Sequence, residues 1–146
     1  LSAAVVDTAL RFEPVAFEAG RQLSYDIDEG ITVTGSRDQL QQVAGVLLDN
    51  AIKYAPQGAG VHMTLTQAER KAVLTVENGG PPIPPEVLPH LFDRFYRADG
   101  SRTQGGFGLG LSIAQAIVRE HKGTIRCESD RRSTRFIVTL PAGGKK

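Results

Sequence analysis

Gly105-Gly106-Phe107-Gly108-Leu109-Gly110-Leu111-Ser112-Ile113 is the stretch on which the reading of this chain turns. The glycines at 106, 108 and 110 leave backbone N–H groups uncovered by side chains. Behind them, Leu111 to His121 reads as a helix with apolar residues at Ile113, Ile117 and Val118. A glycine-rich run that opens a helix makes an anion site, because free N–H groups and the positive end of the helix dipole face the same way. Phosphate suits it. A dinucleotide fingerprint needs G-x-G-x-x-G directly after a strand, whereas here the spacing is G-x-G-x-G behind the polar stretch Ala98 to Gln104. A P-loop needs Gly-Lys-Ser/Thr, which the chain lacks. On this segment alone, glycines that let a helix pack tightly or turn remain an open alternative.

Working outward, the 146 residues are 40% apolar and 23% charged, which suits one globular domain with a full core. Seventeen basic residues against sixteen acidic ones leave a net charge of +1, so nothing points to nucleic acid or to an anionic membrane surface. Cys127 has no second cysteine to pair with, which fits a reducing compartment. It alternates with Ile125 in a strand-like segment, so a buried core thiol is expected. No apolar run approaches the roughly 20 residues of a membrane span, and no signal peptide is visible. The first residue is Leu1 rather than Met, and we expect a piece of something longer.

Ser2 to Glu18 carries Val5, Val6, Ala9, Leu10, Val15 and Phe17, a loosely amphipathic helix with a kink or break expected at Pro14. Leu23 to Asp28 and Ile31 to Thr34 flank Glu29-Gly30 and read as a short hairpin. Ser36-Arg37-Asp38-Gln39 has the form of a capping box, and Leu40, Val43, Leu47 and Ala51 follow at helical spacing up to Tyr54. Val61, Met63 and Leu65 alternate with polar residues, and Val73 to Val76 follow the polar turn Glu69-Arg70-Lys71 as an antiparallel partner. Pro84 to Phe92 suggests a short helix, and 98–106 an irregular loop. Thr124 to Ser129 and Thr134 to Leu140 make a last hairpin. We expect one domain over residues 1–141 with a tail at 142–146, as an α+β two-layer sandwich. About five strands, mostly antiparallel, would be covered on one face by three helices.

Three more segments precede the glycine run in order. They are Leu47-Leu48-Asp49-Asn50-Ala51-Ile52-Lys53-Tyr54, then Val76-Glu77-Asn78-Gly79-Gly80-Pro81-Pro82-Ile83-Pro84, then Leu91-Phe92-Asp93-Arg94-Phe95-Tyr96-Arg97. Together with the glycine run they resemble the asparagine box, first glycine box, phenylalanine box and second glycine box of bacterial sensor histidine kinases. Their catalytic domains have the Bergerat ATP-binding fold. The resemblance covers almost the whole chain.

Residue chemistry agrees with it. Asn50, Lys53 and Tyr54 are spaced i, i+3 and i+4 and so share a helix face. An amide oxygen suits Mg²⁺, an ammonium neutralises phosphate, and an aromatic ring can wall a nucleoside. The resemblance implies that Asn50 binds the metal, Mg²⁺, and that Lys53 and Tyr54 line ATP, with Asn50 and Lys53 serving catalysis. It implies further nucleotide contacts at Asn78, Gly80, Ile83, Phe95, Gly106, Gly108, Leu109, Gly110, Leu111 and Thr134. Phe92 and Phe95 would help anchor a lid, although their i, i+3 spacing equally suits core packing. Arg94, Arg97 and Arg102 stand near enough in sequence to reach phosphate.

Four departures from the family pattern stand out. Asn78 replaces the usual aspartate; its oxygen still accepts from an adenine amine, without the strength of a charged acceptor. Pro82 replaces the second glycine of that box, and Val46 stands where a second asparagine is common. Arg131-Arg132-Ser133-Thr134-Arg135-Phe136 stands for a glycine-rich third box, its arginines either solvated or turned toward a partner.

The resemblance implies transfer of the γ-phosphoryl group to a histidine on a separate dimerisation and phosphotransfer domain, then relay to a response-regulator receiver domain. None of His62, His90 and His121 sits in the family's acceptor pattern. The domain is expected to be monomeric and cytoplasmic, with no nucleic acid or membrane contact of its own, in a parent anchored in the bacterial inner membrane. Two alternatives stay open: a degenerate nucleotide-binding regulatory module, and a relative of the same fold such as an anti-sigma serine kinase.

Overall fold

The computed structural model describes residues 1–33, 35–55, 58, 60–79, 109–130 and 133–142, and only the backbone of Tyr54 and Leu109. In chain order the elements are α1 (Ser2–Glu18), β1 (Gln22–Ile27), α2 (Arg37–Tyr54), β2 (Gly60–Ala68), β3 (Lys71–Asn78), α3 (Leu109–Glu120), β4 (Thr124–Ser129) and β5 (Thr134–Pro141). The strands form one sheet in the order β1-β2-β3-β5-β4. Among the described residues only β1 and β2 run parallel, and the other three pairings are antiparallel. The two-layer sandwich is thus as expected.

Strand alternation decides which side is covered. Val61, Met63 and Leu65 of β2, Leu74 and Val76 of β3, and Phe136, Val138 and Leu140 of β5 are buried beneath the helices. The face opposite the described helices carries a polar row set by register: Ser24 beside His62, His62 beside Glu77, Glu77 beside Arg135, and Arg135 beside Glu128. Ser24 Oγ and His62 Nδ1 share a hydrogen bond of 2.6 Å. Arg135 donates to Ser133 Oγ at 2.6 Å, and Ser133 donates to Glu77 Oε2 at 2.5 Å. Cross-strand pairs of this kind let one face of an antiparallel sheet meet water. Arg135 thus pairs with Glu77, Glu128 and Asp130 on this face; Arg131 and Arg132 lie outside the described residues.

Several expectations are corrected. The hairpin of 23–28 with 31–34 does not form, and β1 pairs instead with residues 60–65. Alternation shows which residues face inward, but it does not name the partner strand. Ile31 turns under α1: Ser2 N donates to its carbonyl at 3.1 Å, and its own N–H donates to Ser2 Oγ at 2.9 Å. Thr34 lies outside the described residues. Helix α1 runs through Pro14 without a break. Pro14 and Leu10 are exposed, so the carbonyl that Pro14 leaves unpaired can be met by water. The buried stripe of α1 is Val5, Ala9 and Ala16, while Leu10, Val15 and Phe17 are exposed. Likewise Leu111, Ala114, Ile117 and Val118 form the buried stripe of α3, and Ile113 lies off it. Cys127 is half-buried at the edge of the core. The helix expected at 84–92 and the loop at 98–106 lie outside the described residues.

Helix α2 lies between α1 and α3 and buries Leu40, Val43, Ala44, Leu47, Leu48, Ala51 and Ile52. A helix flanked on both sides and below hides an apolar stripe wider than that of an ordinary surface helix. That position holds fixed whatever α2 presents near its C-terminus.

Candidate functional site

Ser36 begins α2 as its N-cap, its Oγ accepting from Gln39 N–H at 3.2 Å. Only this half of the expected capping box forms. The reciprocal donor, Ser36 N–H, donates instead to Nε2 of His121 at 3.1 Å, from beyond the end of α3. Nothing local in the sequence announces a cap that arrives from 85 residues away.

Near the other end of α2 stands Asn50, 5% exposed, whose Nδ2 has no hydrogen-bond partner among the described residues. Buried amide groups are nearly always paired, and an unpaired one costs roughly 1–3 kcal/mol. A polar group left in that condition within a packed helix suits a ligand that completes it. Lys53 is exposed and forms an i, i+4 ion pair with Asp49 at 3.1 Å. The expected shared face thus divides, with the amide inside and the ammonium at the rim. The side chain of Tyr54 is outside the described residues.

Asn78 ends β3 and Thr134 begins β5, and the two are register partners on the helix-covered face. They are 2% and 1% exposed. Asn78 Nδ2 donates to the Gly79 carbonyl at 2.8 Å, and the Thr134 hydroxyl shares a 2.7 Å hydrogen bond with Ser129 Oγ. Two residues 56 positions apart in sequence, both drawn from the motifs, are thus side by side at one end of the sheet.

The start of α3 meets α2 one turn before Asn50. A Cβ placed on Gly110 would lie 3.4 Å from Val46 Cγ1. Valine here serves as the surface on which the last glycine of the run rests. Leu111 is fully buried, so its side chain packs in the core and only its backbone is available to a ligand. Gly80, Ile83, Phe95, Gly106 and Gly108 lie outside the described residues, as do Phe92, His90, Arg94, Arg97, Arg102 and the side chain of Leu109.

Residues 35–144 match the family described as histidine kinase-, DNA gyrase B-, and HSP90-like ATPase. The chain belongs to this family. Within it, the chain is an ATP-binding catalytic domain of the sensor histidine kinase branch. It is 38% identical over 145 residues to the sensor protein DltS of Streptococcus agalactiae, covering 99% of this chain and 37% of that protein. It is 42% identical over 133 residues to the sensor histidine kinase CusS of Escherichia coli, covering 90% of this chain and 28% of that one. The chain therefore spans about a third of the curated relatives it matches. The fold is also that of the histidine kinase ThkA in its complex with the response regulator protein TrrA, with 26% identity and a TM-score of 0.82 over 98% of this chain and 40% of that one.

Proposed function

We propose that this domain binds Mg-ATP between α2 and the start of α3 and donates the γ-phosphoryl group to a histidine on a separate helical dimerisation domain. A response-regulator receiver domain would then take the phosphoryl group. The observation that carries this reading is the meeting of Gly110 with Val46, one turn from the buried Asn50 Nδ2, which has no partner among the described residues. It brings Gly110, the last glycine of the second glycine box, against the helix of the asparagine box.

Family membership implies ATP, and the donor set fits its metal. Asn50 would hold Mg²⁺ through its side-chain oxygen, which leaves the unpaired Nδ2 to donate to a phosphate oxygen. Bound there, Mg²⁺ supplies neutralisation of phosphate charge. Lys53, at the rim, would exchange part of its pairing with Asp49 for phosphate. With its Nδ2 committed to Gly79, Asn78 has Oδ1 to accept from the exocyclic amine of adenine, and Thr134 stands beside it. The N-terminal N–H groups of α3 would face the phosphates. Transfer of this kind depends on position and charge more than on covalent help from the protein, so these residues suffice for the donor side.

We infer a longer parent kinase that supplies the acceptor histidine and its membrane anchor, with this domain monomeric in the cytoplasm. No helix among the described residues is long and apolar enough to cross a membrane.

Calorimetry with Mg-ATP tests the first half: the wild-type chain binds, and Asn50→Ala loses at least about tenfold in affinity, the equivalent of about 1.4 kcal/mol. A wild-type chain that binds no Mg-ATP overturns the proposal. Mixing the domain with its parent's helical hairpin and radiolabelled ATP tests the second half. Acid-labile phosphohistidine is expected, and labelling on serine would place the chain with the serine kinases of the same fold.

A further inference from the structure

His121 is absorbed by none of the roles above, yet it makes two directed hydrogen bonds, one on its own helix and one to the start of α2. Its Nδ1 lies 2.8 Å from the carbonyl of Ile117, one turn back on its own helix. Its Nε2 lies 3.1 Å from the backbone nitrogen of Ser36, the N-cap of α2. A carbonyl can only accept and an N–H can only donate, so the ring must carry its proton on Nδ1 and offer a lone pair at Nε2. The ring also presents its Cδ2–Nε2 edge to Gly35, where an added Cβ would stand 2.0 Å from His121 Cδ2 and 2.3 Å from Nε2. Only a residue without a side chain admits the imidazole so close to the entry of α2.

The seat of the ring is itself rigid. Gly123 N–H donates to Val118 O at 2.9 Å and Lys122 N–H to Arg119 O at 2.9 Å, with Lys122 at φ 66°. This pair of bonds is a Schellman cap. Gly123 is pressed on β5, for a Cβ there would lie 2.3 Å from Thr139 O. His121 thus projects from a helix end fixed to the sheet.

Two points of attachment result. One is His121 with Ser36, and the other is Gly110 with Val46. From Ser36 to Val46 is about 15 Å of helix, and from Gly110 to His121 about 16 Å. The two antiparallel helices are therefore matched in length between their ties. Sliding α3 along α2 would break the His121 bond and carry Gly110 away from the turn before Asn50.

We propose that His121 is a positioning residue for phosphate binding: by capping α2 from the end of α3, it sets how far Gly110 and the start of α3 stand from Asn50. This rests on the nucleotide reading above, but extends it to a residue at the opposite end of both helices. The adenine side, Asn78 and Thr134, belongs to the sheet and lies outside this control.

The test compares Mg-ATP with adenosine, well below the melting temperature of each variant. His121→Phe keeps a ring beside Gly35 and removes both nitrogens. It should weaken Mg-ATP about fivefold, on the order of one hydrogen bond, and leave adenosine nearly unchanged. His121→Gln, whose amide oxygen can reach Ser36 N–H, should recover most of that loss. Equal weakening of both ligands would mean general loosening and overturn the proposal, as would an unaltered Mg-ATP affinity in the Phe variant. Nitrogen-15 spectra of the wild-type ring provide a second measurement that needs neither a variant nor a nucleotide. They should show the Nδ1–H tautomer, and a ring protonated on Nε2 alone overturns the clamp. A wild-type chain with the expected tautomer but no nucleotide binding would instead sink the nucleotide reading.

Discussion

A buried amide without a partner costs the fold what a hydrogen bond would have returned, and Asn50 Nδ2 is in that position among the described residues. Removing the whole amide removes that cost as well. Asn50→Ala should therefore melt within about 1 kcal/mol of the wild type while losing nucleotide, a separation that thermal unfolding and calorimetry read together. A loss above about 2 kcal/mol would show that the amide is satisfied in the fold. Cys127 behaves in the opposite sense, as a packing group with chemistry suppressed. Burial pushes its thiol from about 9 up to about 12, outweighing the nearby Arg135 guanidinium. The folded protein thus holds this proton where the unfolded chain releases it. The associated stability is fully present below about pH 9 and is lost as pH rises toward 12. At pH 8 iodoacetamide should alkylate Cys127 far more slowly in the native protein than in urea, and Cys127→Ser should flatten the alkaline loss of stability. Fast native alkylation would contradict that burial. Both residues were visible in the sequence, Asn50 by its motif and Cys127 by its alternation. Their degree of burial was not, because it depends on segments distant in the chain.

At the scale of elements, α3 is fixed at its two ends by two glycines that do different work. Gly123 sits where a Cβ would meet Thr139 O at 2.3 Å and Leu140 Cδ2 at 2.7 Å. Neither a backbone carbonyl nor a packed leucine gives way easily, so Gly123→Ala should cost about 1–3 kcal/mol in denaturant unfolding. An unchanged midpoint would show that the turn relaxes. Gly110 has more room, its added Cβ reaching only van der Waals distance from Val46. Alanine also favours helix over glycine by about 1 kcal/mol. Gly110→Ala should keep or raise the melting temperature yet weaken Mg-ATP about tenfold by crowding the phosphate end. Full affinity in a stable Gly110→Ala protein would remove Gly110 from the site. The helix α2 was readable from Leu40, Val43, Leu47 and Ala51, and the final hairpin from its alternation. The partner of β1 was not, since Leu23, Tyr25 and Ile27 turn the same face inward against any neighbour.

Over the whole molecule, one core joins α1, α2 and α3 to the sheet, and Leu47 lies within it at 0% exposure. Leu47→Ala should cost about 2–5 kcal/mol. That is a large part of the roughly 5–15 kcal/mol that holds a domain folded. Mg-ATP at a hundred times its dissociation constant should return about 2.7 kcal/mol, measurable as a rise in melting temperature in both proteins. A variant that nucleotide fails to stabilise would show that its site is lost with its core. The sequence by itself determined the family, the helix α2 and the hairpins β2–β3 and β4–β5, and it singled out Asn50, Asn78 and Thr134 as candidates. Each of those rests on periodicity or on a run of neighbouring residues, which a chain displays without folding. Only the tertiary structure decided that β1 pairs with β2 in parallel, that Val46 underlies Gly110, and that His121 caps α2. Each of these is a contact between distant segments. Its partners are selected by the shared burial of the whole core, and no local pattern carries that choice.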